Sequence, residues 1–73
     1  MNDITAMKSD MVKEIAVLLM EKDKNLTMDR ARSILFNSDT YTKIMDNRTN
    51  LYFQSPRYVF SFLQTELETG KMG

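Results

Sequence analysis

Seventy-three residues carrying ten basic and ten acidic side chains, with no cysteine and no histidine, leave a narrow range of chemistry open. Disulfides and thiolate zinc sites are excluded, and the commonest general base and neutral metal ligand is missing. The charges cancel, so nothing pulls the whole chain toward nucleic acid or an anionic membrane, and little repulsion keeps copies apart.

A hydrophobic content of 42% is that of a globular chain. The length allows one domain, 1–73. A core of this size supplies roughly 3–5 kcal/mol of net stability. Met1-Asn2-Asp3 lacks the basic and apolar regions of a signal peptide. The longest apolar run, Ile15 to Met20, is far too short to span a bilayer. These features predict a cytoplasmic protein without a membrane segment.

The first predicted helix runs from Asp3 to about Lys24. At 100° per residue, Ile4, Met7, Met11, Ile15 and Leu18 form one stripe, with Val12 and Leu19 beside it. Asn25 is the expected left-handed residue at its end, since no glycine stands there. The second helix starts after Thr27 as N-cap and ends near Phe36, with Met28, Ala31, Ile34 and Leu35 on one face and Arg32 at its edge. A short third helix follows, capped by Ser38 or Asp39, with Tyr41, Ile44 and Met45 as its apolar side. Leu51-Tyr52-Phe53 reads as a buried connector, because no partner strand exists for it. Ser55-Pro56 is the clearest start signal, Gly70 closes the fourth element, and Lys71 to Gly73 form a fraying tail. The expected fold is therefore all-α: three principal helices plus a short helix or helical turn.

Two helices carry more apolar surface than one packed face requires. Val17 and Met20 point away from the main stripe of the first helix. On the last, Tyr58, Val59, Phe60, Phe62, Leu63 and Leu67 sweep an arc of about 200°. Seven methionines add adaptable apolar surface. Glu66 lies within the arc, where a carboxylate needs water or a partner. Val17, Met20, Tyr58, Phe60, Phe62 and Glu66 are thus the candidate interface.

Other motifs yield little. Gly70 and Gly73 are the only glycines, which excludes the glycine-rich phosphate loops. Asp23 and Asp29 do not make a calcium loop. No catalytic group, metal site or cofactor site is marked. The second and third helices have the spacing of a helix-turn-helix, but the third carries Lys43 as its sole cation beside Asp39 and Asp46, poor equipment for reading DNA. Asn50 to Ser55 resembles the cleavage site of a plant-virus protease used to remove purification tags, with Thr49 where that site has glutamate. Its internal position, leading into a capped helix, marks it as native sequence.

The segment Tyr41 to Leu67 combines a short helix bearing a tyrosine, an aspartate-containing turn, Leu51-Tyr52, Ser55-Pro56, Tyr58-Val59, Leu63 and Glu66-Leu67. It resembles small uncharacterised bacterial helical proteins of domain-of-unknown-function families, some encoded in cassettes like those of toxin–antitoxin or accessory modules. The resemblance implies a bacterial cytoplasmic protein that acts through a protein partner, and it carries over no catalytic residue. The expected function is an interaction or accessory module working by helix–helix contact with a partner or with itself. A helix-turn-helix-like DNA-binding regulator is the alternative. Non-specific DNA affinity scales with phosphate contacts, so a neutral chain should give no gel shift at physiological salt. A sequence-specific shift at nanomolar protein would instead favour the regulator.

Overall fold

Helices begin in this chain where a short polar side chain can take up an orphan backbone amide. Thr27 accepts from the Arg30 amide at 3.2 Å, Ser38 from Tyr41 at 3.0 Å and Ser55 from Tyr58 at 3.2 Å. The computed structural model describes residues 3–70. These form four α-helices, α1 Asp3–Lys22, α2 Met28–Phe36, α3 Asp39–Met45 and α4 Pro56–Thr69, with a 3-10 turn at Leu51–Phe53 between the last two and no strand among the described residues. The chain is all-helical, as expected. The tail expected to fray at Lys71 to Gly73 lies outside the described residues.

The helix ends separate two cases. Pro56 occupies the start of α4, and Gly70 stops it with φ 84°, a conformation that costs other residues a Cβ clash. At the end of α1 the expectation needs correcting. The helix stops at Lys22 rather than Lys24, and Asn25 is not left-handed; the sole non-glycine residue with positive φ among the described residues is Asn50, at 56°. Asp23 explains the difference. Its carboxylate accepts the Asn25 amide at 3.0 Å and its carbonyl accepts the Leu26 amide at 3.0 Å, a local turn that outcompetes another helical turn.

Helix α1 is the spine. Met11, Val12, Ile15, Ala16, Leu18 and Leu19 are buried along it, and the other three helices and the 3-10 turn all pack against it. Ala31 and Leu35 from α2, Ile44 from α3, Leu51 from the turn, and Val59, Phe60 and Leu63 from α4 complete one continuous core. The connector reading holds for Leu51 and Tyr52, both buried, but Phe53 points outward at 62% exposure. The Cα radius of gyration is 11.6 Å, against about 11 Å expected for a compact domain of this length.

Leu63 is fully buried at the centre of that core, 0% exposed. Truncation to alanine removes its contacts and leaves a void, at about 2–5 kcal/mol. That matches the whole stability expected of so small a domain. Leu63→Ala should abolish the cooperative thermal transition followed by circular dichroism, while a sharp, little-shifted melt would place Leu63 outside the core.

Candidate functional site

Three helices present aligned side chains to a cleft of about 580 Å³. Met28, Arg32 and Phe36 stand at i, i+4 and i+8 on α2, which stacks them along one edge. Thr5, Ser9, Val12 and Lys13 share the facing side of α1, with Lys8 next to them, and Tyr41 and Met45 from α3 close the remaining wall. The lining combines Val12, Met28, Phe36, Tyr41 and Met45 with three cations, and no acidic side chain lines the cleft. Phe36 is 47% exposed although its ring packs edge-on against Tyr41, centroids 5.0 Å apart at 71°. An exposed aromatic held in place by a second ring is pre-positioned to bury its remaining face against something else.

The three cations are not equivalent. The Lys8 ammonium donates to the Met45 carbonyl at 2.9 Å and to the Asn47 side-chain carbonyl, and lies 5.5 Å from the centre of the Tyr52 ring. It belongs to the scaffold. Lys13 and Arg32 are exposed and make no hydrogen bond or ion pair within the described residues. They are available to an incoming anion.

The position of α3, and hence of Tyr41 and Met45, is set by Glu66. Its carboxylate accepts the Asp39 amide at 2.6 Å, the Thr40 amide at 2.9 Å and the Thr40 hydroxyl at 2.8 Å. With Ser38 bonded to the Tyr41 amide, and the Ser38 amide bonded to Leu35, every free amide at the start of α3 is satisfied. Partial burial pushes the Glu66 carboxyl up, but the hydrogen bonds from Asp39 and Thr40 prevail and hold it below its ordinary value. At the other end of α3, the hydrogen bonds from Arg48 bring the half-buried Asp46 carboxyl down to about 2. Arg48 thereby neutralises an acid at the negative end of the helix dipole.

The six residues of the expected interface are not brought together as one surface. Val17 is 37% exposed on the outer side of α1, and Met20 is half-buried against the core. Tyr58 is exposed and pairs with the half-buried Phe62, ring centroids 5.0 Å apart. Phe60 is 7% exposed and lines, with Leu18 and Leu19, the seam between α1 and α4, so it is core. Glu66 is neither simply solvated nor ion-paired; it is committed to α3. Phe36, Tyr41, Lys13 and Arg32 were not among those six. The i, i+4, i+8 spacing of Met28, Arg32 and Phe36 was the available signal.

No group of three or more potential metal-ligating side chains occurs among the described residues. No protein-family model matches the chain, and neither a curated protein nor a solved structure matches it.

The Glu66 bonds give a pH signature. A carboxyl held below its ordinary value of 4.5 contributes stability that is complete above that value and is lost as pH falls through the folded-state value. Glu66→Ala should therefore lose about 1.5–3 kcal/mol at neutral pH, the range for hydrogen bonds to a charged acceptor. The gap to wild type should shrink as pH drops below 4.5. Urea denaturation of both proteins across that range checks it; a gap independent of pH would mean that the carboxylate charge is irrelevant.

Proposed function

We propose that this chain is a small protein-interaction or accessory module that works by helix–helix contact and carries out no chemistry of its own. The observation that carries the reading is Phe36. It is a large aromatic left 47% exposed beside a cleft, while thirteen other apolar side chains already complete the core. Interface energy concentrates in such aromatic anchors, with arginine beside them, and Arg32 stands one helical turn before Phe36 on the same edge. The absence of histidine and cysteine agrees with a binding role. A partner protein is favoured over nucleic acid, since α3 presents Lys43 as its lone cation. A bacterial, cytoplasmic setting belongs to this reading through the resemblance of Tyr41 to Leu67. No helix among the described residues is long and apolar enough to cross a membrane.

Self-association belongs to the same reading, through the Tyr58–Phe62 face of α4 or the outer side of α1 at Val17. Sedimentation equilibrium tests it, against a monomer mass of 8.6 kDa. For a protein partner, the test is affinity capture from native lysate with wild type and Phe36→Ala side by side. Phe36 is half-exposed, so its truncation should lower stability by no more than the loss of its contact with Tyr41, about 0.5–1.5 kcal/mol, and leave the protein folded while at least one captured protein disappears. Identical capture by both forms, with no self-association, would sink the interaction reading at this site.

A further inference from the structure

The cleft between α1, α2 and α3 has a charge pattern that selects its occupant. Lys13 and Arg32 are exposed, have no partner among the described residues, and stand on opposite walls contributed by α1 and α2. Phe36, Tyr41 and Met45 line the same cleft, with no carboxylate in its lining; Asp29 borders a neighbouring cavity with Arg32 and Phe36. Two free cations flanking an aromatic and thioether floor call for a ligand that is acidic at its edges and apolar in its middle.

The backbone of the walls narrows the choice. All three walls are α-helices, whose amides and carbonyls are consumed internally. No sheet edge exists here to pair with an extended peptide, so an incoming segment must satisfy its own backbone hydrogen bonds. A helix does so, and helix-in-groove binding uses apolar anchors at i, i+3 or i+4, and i+7. The run from Thr5 to Lys13 along α1 measures about 12 Å at 1.5 Å per residue, room for roughly two turns of a partner helix.

A second copy of this chain fits poorly. Its own acidic helical face, Asp10, Glu14 and Glu21 on α1, offers only Val17 as a large exposed apolar anchor. A single valine does not fill a floor built from Phe36, Tyr41 and Met45. The exposed residues of α4 include Tyr58 and Leu67, but Glu66 beside Leu67 is committed to α3, which leaves Glu68 as the one available acid there.

From the lone cations, the aromatic floor and the closed backbone of the walls, we infer that the cleft between α1 and α2 receives an acidic amphipathic helix of a protein partner, with its apolar side on Phe36, Tyr41 and Met45 and its carboxylates on Lys13 and Arg32. This rests on reading the chain as an interaction module, and it adds the chemistry of the partner.

Fluorescence anisotropy with three labelled synthetic peptides tests it. Each is about 16 residues, long enough to sample helix. The first has leucine and phenylalanine on one face and glutamates flanking it; the second replaces every glutamate by lysine; the third keeps the glutamates and replaces the apolar face by serine. The acidic amphipathic peptide should bind, with affinity falling as salt is raised. The other two should bind on the order of tenfold or more weaker, or not at all. Lys13→Glu combined with Arg32→Glu should weaken the first peptide by a similar factor while the thermal melt stays near wild type, because both side chains are exposed. Phe36→Ala should weaken it too. Equal binding of the lysine or serine peptide would overturn the inference, as would indifference to the double charge reversal. A concentration-dependent dimer abolished by that reversal would overturn it in favour of a second copy. Capture of a partner that depends on Phe36 but ignores Lys13 and Arg32 would overturn the acidic assignment and leave the interaction module standing.

Discussion

Helix α3 has seven residues, too few to be stable alone, and it supplies one wall of the cleft. Its two ends are held from opposite sides of the molecule. Glu66 of α4 places a carboxylate on the amides of Asp39 and Thr40, and Lys8 of α1 places an ammonium on the carbonyl of Met45. Each charge sits at the end of the helix dipole that attracts it, so the dipole itself is used to lock a short element between two long ones. Remove either contact and the segment carrying Tyr41 and Met45 loses the constraint that aims those side chains at the cleft.

This arrangement explains a distribution of charge that composition alone leaves obscure. The chain is neutral overall, yet its charges have sharply different duties. Glu66 and Lys8 are absorbed in the fold. Asp46 and Arg48 neutralise each other at the turn after α3, with the guanidinium 2.8 Å from the carboxylate. Lys13 and Arg32 are unpaired at the cleft, while Lys22, Lys24, Arg30, Lys43 and Arg57 are exposed elsewhere on the surface. The cleft itself is lined by cations and no acid, while Asp29 borders a neighbouring cavity with Arg32 and Phe36, Glu66 is used inside the fold, and Asp10, Glu14 and Glu21 are exposed on α1.

What could be read in the sequence was whatever depends on neighbours along the chain. Ser55-Pro56 and Thr27 mark helix starts through bonds three residues long, and the apolar stripe from Met11 to Leu19 follows helical periodicity. What could not be read depends on distant pairs. Thr40 is fully buried, and nothing in a short polar helix start announces that; its partner Glu66 is 26 residues away. Glu66 looked like an acid stranded on an apolar arc because the amides it serves belong to another helix. Phe60 looked like surplus surface for a related reason: the arc of α4 was wider than one contact needs, but α4 meets α1 along one flank and α3 along another. Asn25 and Asn50 are chemically identical, but Asp23 holds the amide of the first in a local turn, and the second takes the left-handed conformation.

The same logic separates α4 from the cleft as places for a partner to bind. On α4, Tyr58 and Phe62 already satisfy each other edge-to-face, the neighbouring positions Ser61 and Thr65 bond back to their own helix, and the face has no charge pattern to orient a ligand. At the cleft, Phe36 and Tyr41 meet edge-on in the same way, and the difference is that the cations Lys13 and Arg32 on its walls have no partner among the described residues. Apolar exposure alone identifies sticky surface, whereas specificity requires groups that suffer if the wrong partner arrives. Lys13 and Arg32 are such groups: a basic helix would bring like charges to both walls, and an uncharged one would cover them without compensation. Sites of recognition on so small a fold are therefore to be sought where apolar exposure and uncompensated charge of one sign coincide, and the cleft between α1 and α2, lined by cations and no acid, meets that condition.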